Sequence, residues 1–259
     1  MHILKSILQK AFFVVMVILL TMCSKKIDQL VLVPAERLDS YIIQHQNQEQ
    51  DILIACAASD PDSIADGGIS VFFYPFTGAF DYKYFESSSD EIDPMDFTKY
   101  VPVEKESEAV FGGHLRRFTL PFDTPEKWIV LTFLSVEKIH VSDPIRLKHE
   151  SKPTLYNSDL IEIDQQDSGH PKFSWEGDSD DETVIYFEVI SGASGNFISG
   201  TYTYDKHWQY YDLSNVVLNI TEQEPPADLK IGNNYTFTLM GVSEDNWVNL
   251  MAVKTFEAK

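Results

Sequence analysis

The chain has 259 residues and a formal net charge of −20, from 20 Lys+Arg against 40 Asp+Glu, with a pI near 4.6. Its 44% apolar and 13% aromatic content marks a globular protein rather than an acidic disordered tail, and 12 Gly with 12 Pro are too few for a fibrous repeat. Two cysteines exclude a disulfide scaffold, and the acidic balance argues against a nucleic-acid partner, whose phosphates need a basic surface.

The first segment, 1–22, reads as a cleaved secretory signal. Lys5 and Lys10 make it cationic, and Ala11 to Leu20 is an apolar run. As a helix that run spans roughly 15 Å, about half a bilayer core, which suits a signal better than a membrane span. Leu20-Thr21-Met22-Cys23 follows and resembles the lipobox of bacterial lipoproteins. The resemblance implies that Cys23 is lipidated and becomes the first mature residue, that 23–28 is a tether, and that acyl chains hold the protein to a membrane. Met22 stands where that family usually has a small residue. Ser24 is similar to the residue that permits outer-membrane sorting in Gram-negative lipoproteins, whereas Lys25-Lys26 lacks the acidic run of a Bacteroidetes surface-export signal. Cleavage would remove two lysines and no acid, taking the net charge from −20 to −22.

From residue 29 onward, short runs of Val, Ile, Phe, Tyr and Thr alternate with Gly, Pro, Asp, Asn and Ser clusters, the texture of an all-β sandwich. The first block, 29–150, predicts strands at 30–34, 51–58, 69–76, 80–86, 109–120, 128–135 and 144–149. Trp128 to Phe133 is nearly continuous in apolar character, as expected of a strand buried on both faces. Residues 87–107 read as a long acidic loop. The best helical spacing, Leu38, Tyr41, Ile42 and His45, is short and lacks a cap.

Ser151 to Thr154 marks a joint, and the second block covers 153–259. Its strands are predicted around Phe173 and Trp175, at 184–190, at 216–220, from Leu229 to Leu239 and at 246–253, with a turn at Ser191 to Asn196. Trp175 and the spacing from Leu229 to Tyr235 resemble a fibronectin type III domain. The resemblance implies a tyrosine corner, with the Tyr235 phenol bonded back to nearby backbone. The expected architecture is therefore two immunoglobulin-like or fibronectin III-like sandwiches in tandem after the signal.

Chemical motifs are sparse. Gly192-Ala193-Ser194-Gly195 lacks the spacing of a nucleophile elbow, and Cys56 in Ile52 to Ala58 reads as a buried, inert thiol. His114, His140, His149, His170 and His207 are isolated in sequence. No phosphate-cradling glycine motif is present. Asp178, Asp180, Asp181 and Glu182 are candidate ligands for calcium, which takes several hard oxygens, although the EF-hand spacing is not met; no other cofactor is expected. Phe72 to Phe85 is dense in aromatics and reads as core. Trp208, Tyr210 and Tyr211 sit among polar residues and are candidates for an exposed, sugar-stacking platform.

Three functions stay open on these residues. The leading one is a non-catalytic, lipid-anchored envelope protein at the outer membrane of a Gram-negative bacterium, pairing with a protein partner or with itself. The second is an accessory lipoprotein that binds a polysaccharide through Trp208, Tyr210 and Tyr211. The third is a hydrolase with paired carboxylates drawn from the many acids.

Overall fold

Strand formers separated by turn residues fold as β-strands throughout, and the protein is all-β, with one short α-helix among the described residues. The computed structural model describes residues 37–60, 67–176, 182–221 and 224–259. The expected signal and tether and the strand expected at 30–34 lie outside the described residues.

In chain order, helix α1 (Leu38–Gln44) precedes β1 (Glu49–Leu53), β2 (Ala55–Asp60), β3 (Gly68–Phe73), β4 (Phe80–Glu86), β5 (Val101–Val103), β6 (Glu108–Val110), β7 (Leu115–Pro121), β8 (Trp128–Ser135), β9 (Lys138–Ser142) and β10 (Ile145–Arg146). These make two sheets. The first runs β1-β9-β8-β4-β5, with β10 also on β8, and the second runs β2-β3-β7-β6. The run expected as one strand at 51–58 breaks at Ile54 because the chain changes sheets there: β1 pairs parallel with β9, while β2 pairs antiparallel with β3. The run expected at 109–120 breaks at a 3-10 turn, Phe111–Gly113, where Gly112 takes a positive φ of 69°. Part of the expected acidic loop is ordered by Tyr100, fully buried, whose hydroxyl donates to the Pro94 carbonyl at 2.7 Å.

The second half contributes β11 (Leu155–Tyr156), β12 (Ile161–Asp164), β13 (Lys172–Trp175), β14 (Thr183–Gly192), β15 (Phe197–Thr203), β16 (His207–Gln209), β17 (Val216–Asn219), β18 (Asn234–Ser243) and β19 (Val248–Glu257). The third sheet runs β11-β19-β18-β14-β15-β17 and the fourth β12-β13-β16.

Period-two alternation decides how these sheets stack. On β8, Ile129, Leu131 and Phe133 face the second sheet, while Val130 and Leu134 face α1 through Leu38 and Tyr41. On β14, Tyr186 and Ile190 face the fourth sheet with Phe173, Trp175 and Trp208, while Phe187 and Val189 face the second sheet with Ala58, Phe72 and Leu115. The four sheets therefore lie in one stack with three apolar cores between them, and α1 covers the outer face of the first. Sheets loaded on both faces must be covered on both. The helix has no side-chain cap and is held by this docking rather than by its own propensity.

The β18–β19 hairpin ties the halves together. Trp247 is fully buried in the core between the first and second sheets, its indole N–H donating to the Lys152 carbonyl at 2.9 Å. Beside it, the Ala57 N–H donates to Asn246 O at 3.0 Å and the Arg146 N–H to Asp245 O at 3.0 Å. At the other end of β18, the Lys230 N–H donates to the Tyr235 phenol oxygen at 2.9 Å. Tyr235→Phe removes that acceptor and is expected to cost about 1 kcal/mol in a urea melt; a change below about 0.3 kcal/mol would show the bond to be replaced by water.

Candidate functional site

Trp208 and Tyr210 do not form an exposed platform. Trp208 is fully buried against Phe173, with ring centroids 6.0 Å apart, and its indole N–H donates to Asp212 O at 3.2 Å. Tyr210 is 1% exposed and its hydroxyl donates to Ala227 O at 2.8 Å. Tyr211 is half-buried, and its hydroxyl accepts from Asn219 Nδ2 at 2.9 Å. The physical reason is the alternation itself: His207 and Gln209 point outward, so the residues between and after them point into the core between the third and fourth sheets. The polar neighbours that suggested a surface position are the outer half of an ordinary strand pattern.

The acidic group expected to take calcium is only partly visible. Asp178, Asp180 and Asp181 lie outside the described residues. Glu182 is exposed and is ion-paired to Lys152 at 3.1 Å and to Lys148 at 3.8 Å. The Lys152 ammonium beside it holds its carboxyl below the usual range. Its charge is thus already balanced by two lysines. Among the described residues no three His, Cys, Asp or Glu side chains converge as a metal site. Cys23 also lies outside the described residues.

Among the described residues, two concavities lie where the halves meet. The larger, about 570 Å³, combines apolar Met95, Trp128 and Val184 with Asp143, Glu244 and Asp245. Of its four lining carboxylates, Glu182 and Asp245 are ion-paired. Asp245 pairs with the nearly buried Lys148 at 2.9 Å, and Arg146 lies 5.9 Å over the Trp128 ring while bonding Asp90 at 2.7 Å. The Arg146 guanidinium holds the Asp90 carboxyl below its ordinary value. A general acid needs its pKa raised towards the working pH, and the Asp90 carboxyl is shifted the other way. The carboxyl that burial does push well up is Glu188, and it is fully enclosed between the third and fourth sheets. Its oxygens lie 2.8 Å from Thr203 Oγ1 and 3.3 Å from Thr201 Oγ1, and it lines neither of the two concavities between the halves.

The smaller concavity, about 190 Å³, opens between the second and third sheets and is lined by Cys56, Phe72, Phe187, Tyr202 and Leu218 among others. Sequence reasoning treated Cys56 as core and did not connect it with Tyr202 or Leu218. The available signal was the small-residue run Ala55-Cys56-Ala57-Ala58 on a strand facing large aromatics.

No protein-family model matches the chain, and no curated protein matches it. The remaining exposed feature of note is β17, which pairs with β15 on one side and lies at the edge of the third sheet. Val217 is 47% and Leu218 39% exposed there, and Leu213 just before it is 42% exposed.

Proposed function

We propose that the chain is a non-catalytic cell-envelope protein, lipid-anchored through Cys23 at the outer membrane of a Gram-negative bacterium, whose stacked sheets serve as a structural or protein-interaction module. The observation that carries the interaction reading is the β17 edge. An edge strand presents unpaired backbone groups that another chain can extend, and soluble proteins commonly block such edges with charge. Val216-Val217-Leu218-Asn219 has no charged residue. The anchor reading is supported by Leu20-Thr21-Met22-Cys23 and the cationic, then apolar, segment before it. The second half is read as fibronectin III-like, and the Lys230–Tyr235 bond and the inward Trp175 support that reading.

The test uses intact envelopes of a Gram-negative host. A photocrosslinking residue at Asn215, next to the strand, is expected to give one discrete higher-mass adduct, and Val217→Lys is expected to abolish it. Labelled palmitate is expected to enter the wild-type chain but not Cys23→Ser. Absence of any discrete adduct would sink the interaction reading, and an unlabelled wild-type chain would sink the anchor.

A further inference from the structure

The cleft between the second and third sheets has the character of a ligand site rather than of a packing defect. It arises because β2 supplies Cys56 where the facing sheet supplies large rings, and Cys56 pairs across β2–β3 with Phe72. One wall is flat: Phe187 and Tyr202 stack with centroids 4.4 Å apart and an interplanar angle of 15°. Leu218 on the edge strand also lines the cleft and is 39% exposed.

The chemistry of the lining is uniform. No charged side chain contributes to it, and its polar groups are limited to Cys56, Tyr74, Tyr202 and Asn246. Cys56 and Tyr202 keep accessible surface, yet their surroundings are those of an apolar interior. Burial pushes the Cys56 thiol up to about 12 and the Tyr202 phenol above its ordinary value. An engineered, wholly apolar cavity of about 150 Å³ takes up benzene, a guest of the size this cleft can hold. Left unfilled, such a space forfeits the dispersion contacts of its whole lining. A sugar or an ion would leave its own polar groups without partners there.

We propose that this cleft binds one small neutral hydrocarbon group, a short aliphatic chain or a single ring, lying against Leu218 and the Phe187–Tyr202 wall with Cys56 at its inner side. The site does not depend on the anchor or on the edge-strand reading.

Residues Glu36–Lys259 contain all four apolar clusters and form one compact unit, so this fragment serves for the test; Cys56 is its only thiol. Calorimetric titration with octanol is expected to saturate at one molecule per chain. Cys56→Leu puts a larger branched side chain into the cleft and is expected to weaken octanol binding by roughly tenfold or more, while raising the melting midpoint of the ligand-free protein. Should that variant fail to fold, the wild-type thiol decides the matter. Saturating octanol is expected to slow modification of Cys56 by methyl methanethiosulfonate by roughly tenfold. Octanol binding that never saturates, binding untouched by Cys56→Leu, or an unprotected thiol would each overturn the proposal.

Discussion

Trp247→Ala is expected to lower stability by about 3–5 kcal/mol, the range for removing a fully buried large aromatic. The indole does more than fill space. It belongs to the hairpin of the second half yet sits in the core of the first, and its N–H satisfies the Lys152 carbonyl at the joint. Its backbone neighbours hold the same seam through Ala57 and Arg146. The wild-type fragment is therefore expected to unfold in one transition by both fluorescence and circular dichroism, and the variant to show the two probes diverging as the halves uncouple. A loss below about 1 kcal/mol with coincident probes would show that the shared core alone, without this anchor, couples the halves.

The second large effect is pH-dependent and centres on Glu188. Its carboxyl is fully buried, and burial raises its pKa well above the ordinary 4.5. The local geometry agrees. Thr203 Oγ1 lies 2.8 Å from Glu188 Oε1 and 2.9 Å from the Asp205 carbonyl, and a single hydroxyl proton cannot serve both. A protonated Glu188 resolves the conflict by donating to Thr203, which then donates to Asp205. The folded chain thus keeps a proton that the unfolded chain releases above about pH 4.5. The unfolded state binds fewer protons in that window, so stability falls as pH rises, by about 1.4 kcal/mol per unit until the folded carboxyl itself ionises. Burial lowers the His140 pKa, and below its ordinary 6.5 that group gives the opposite slope. The contribution of Glu188 is therefore read as a difference. Glu188→Gln, whose amide oxygen can still accept from Thr201, is expected to flatten the decline and to be relatively more stable at pH 8 than at pH 5. Parallel curves for the two proteins would mean that Glu188 is ionised in the fold.

The all-β class was legible in the sequence because alternation and turn residues are local signals. Trp128 to Phe133 announced its two-sided burial for the same reason, as β8 shows. The apolar neighbours of Cys56 were likewise a local signal for the burial that pushes its thiol up to about 12, although the residue is only partly buried. What local pattern could not reveal is which sheet a strand joins. Ile52 to Ala58 is one apolar run, yet the chain leaves the first sheet for the second at Ile54. Lys138 to Ser142 falls between the strands expected at 128–135 and 144–149, yet it forms β9, the bridge between β1 and β8. The misplaced platform at Trp208 and Tyr210 has a related origin: alternation with polar residues describes a half-buried strand, and it does not say which half is outside until the partner sheet is known. The cleft at Cys56 joins residues from seven strands in two sheets, β2, β3, β7, β14, β15, β17 and β18, and no window along the chain contains them.

The insertion of Trp247 beside Ala57 has a kinetic consequence. Contacts between residues so far apart in the chain require a large loop to close before they return any stabilisation, and topologies rich in them fold slowly. During synthesis the first two sheets emerge well before the hairpin that completes their core and before the third sheet that covers their outer apolar face. The chain must pass through a partly built stage with Phe72, Leu115 and Ala58 uncovered. Such a stage is prone to aggregate. A protein built this way depends on being kept apart from its neighbours until its last strands arrive.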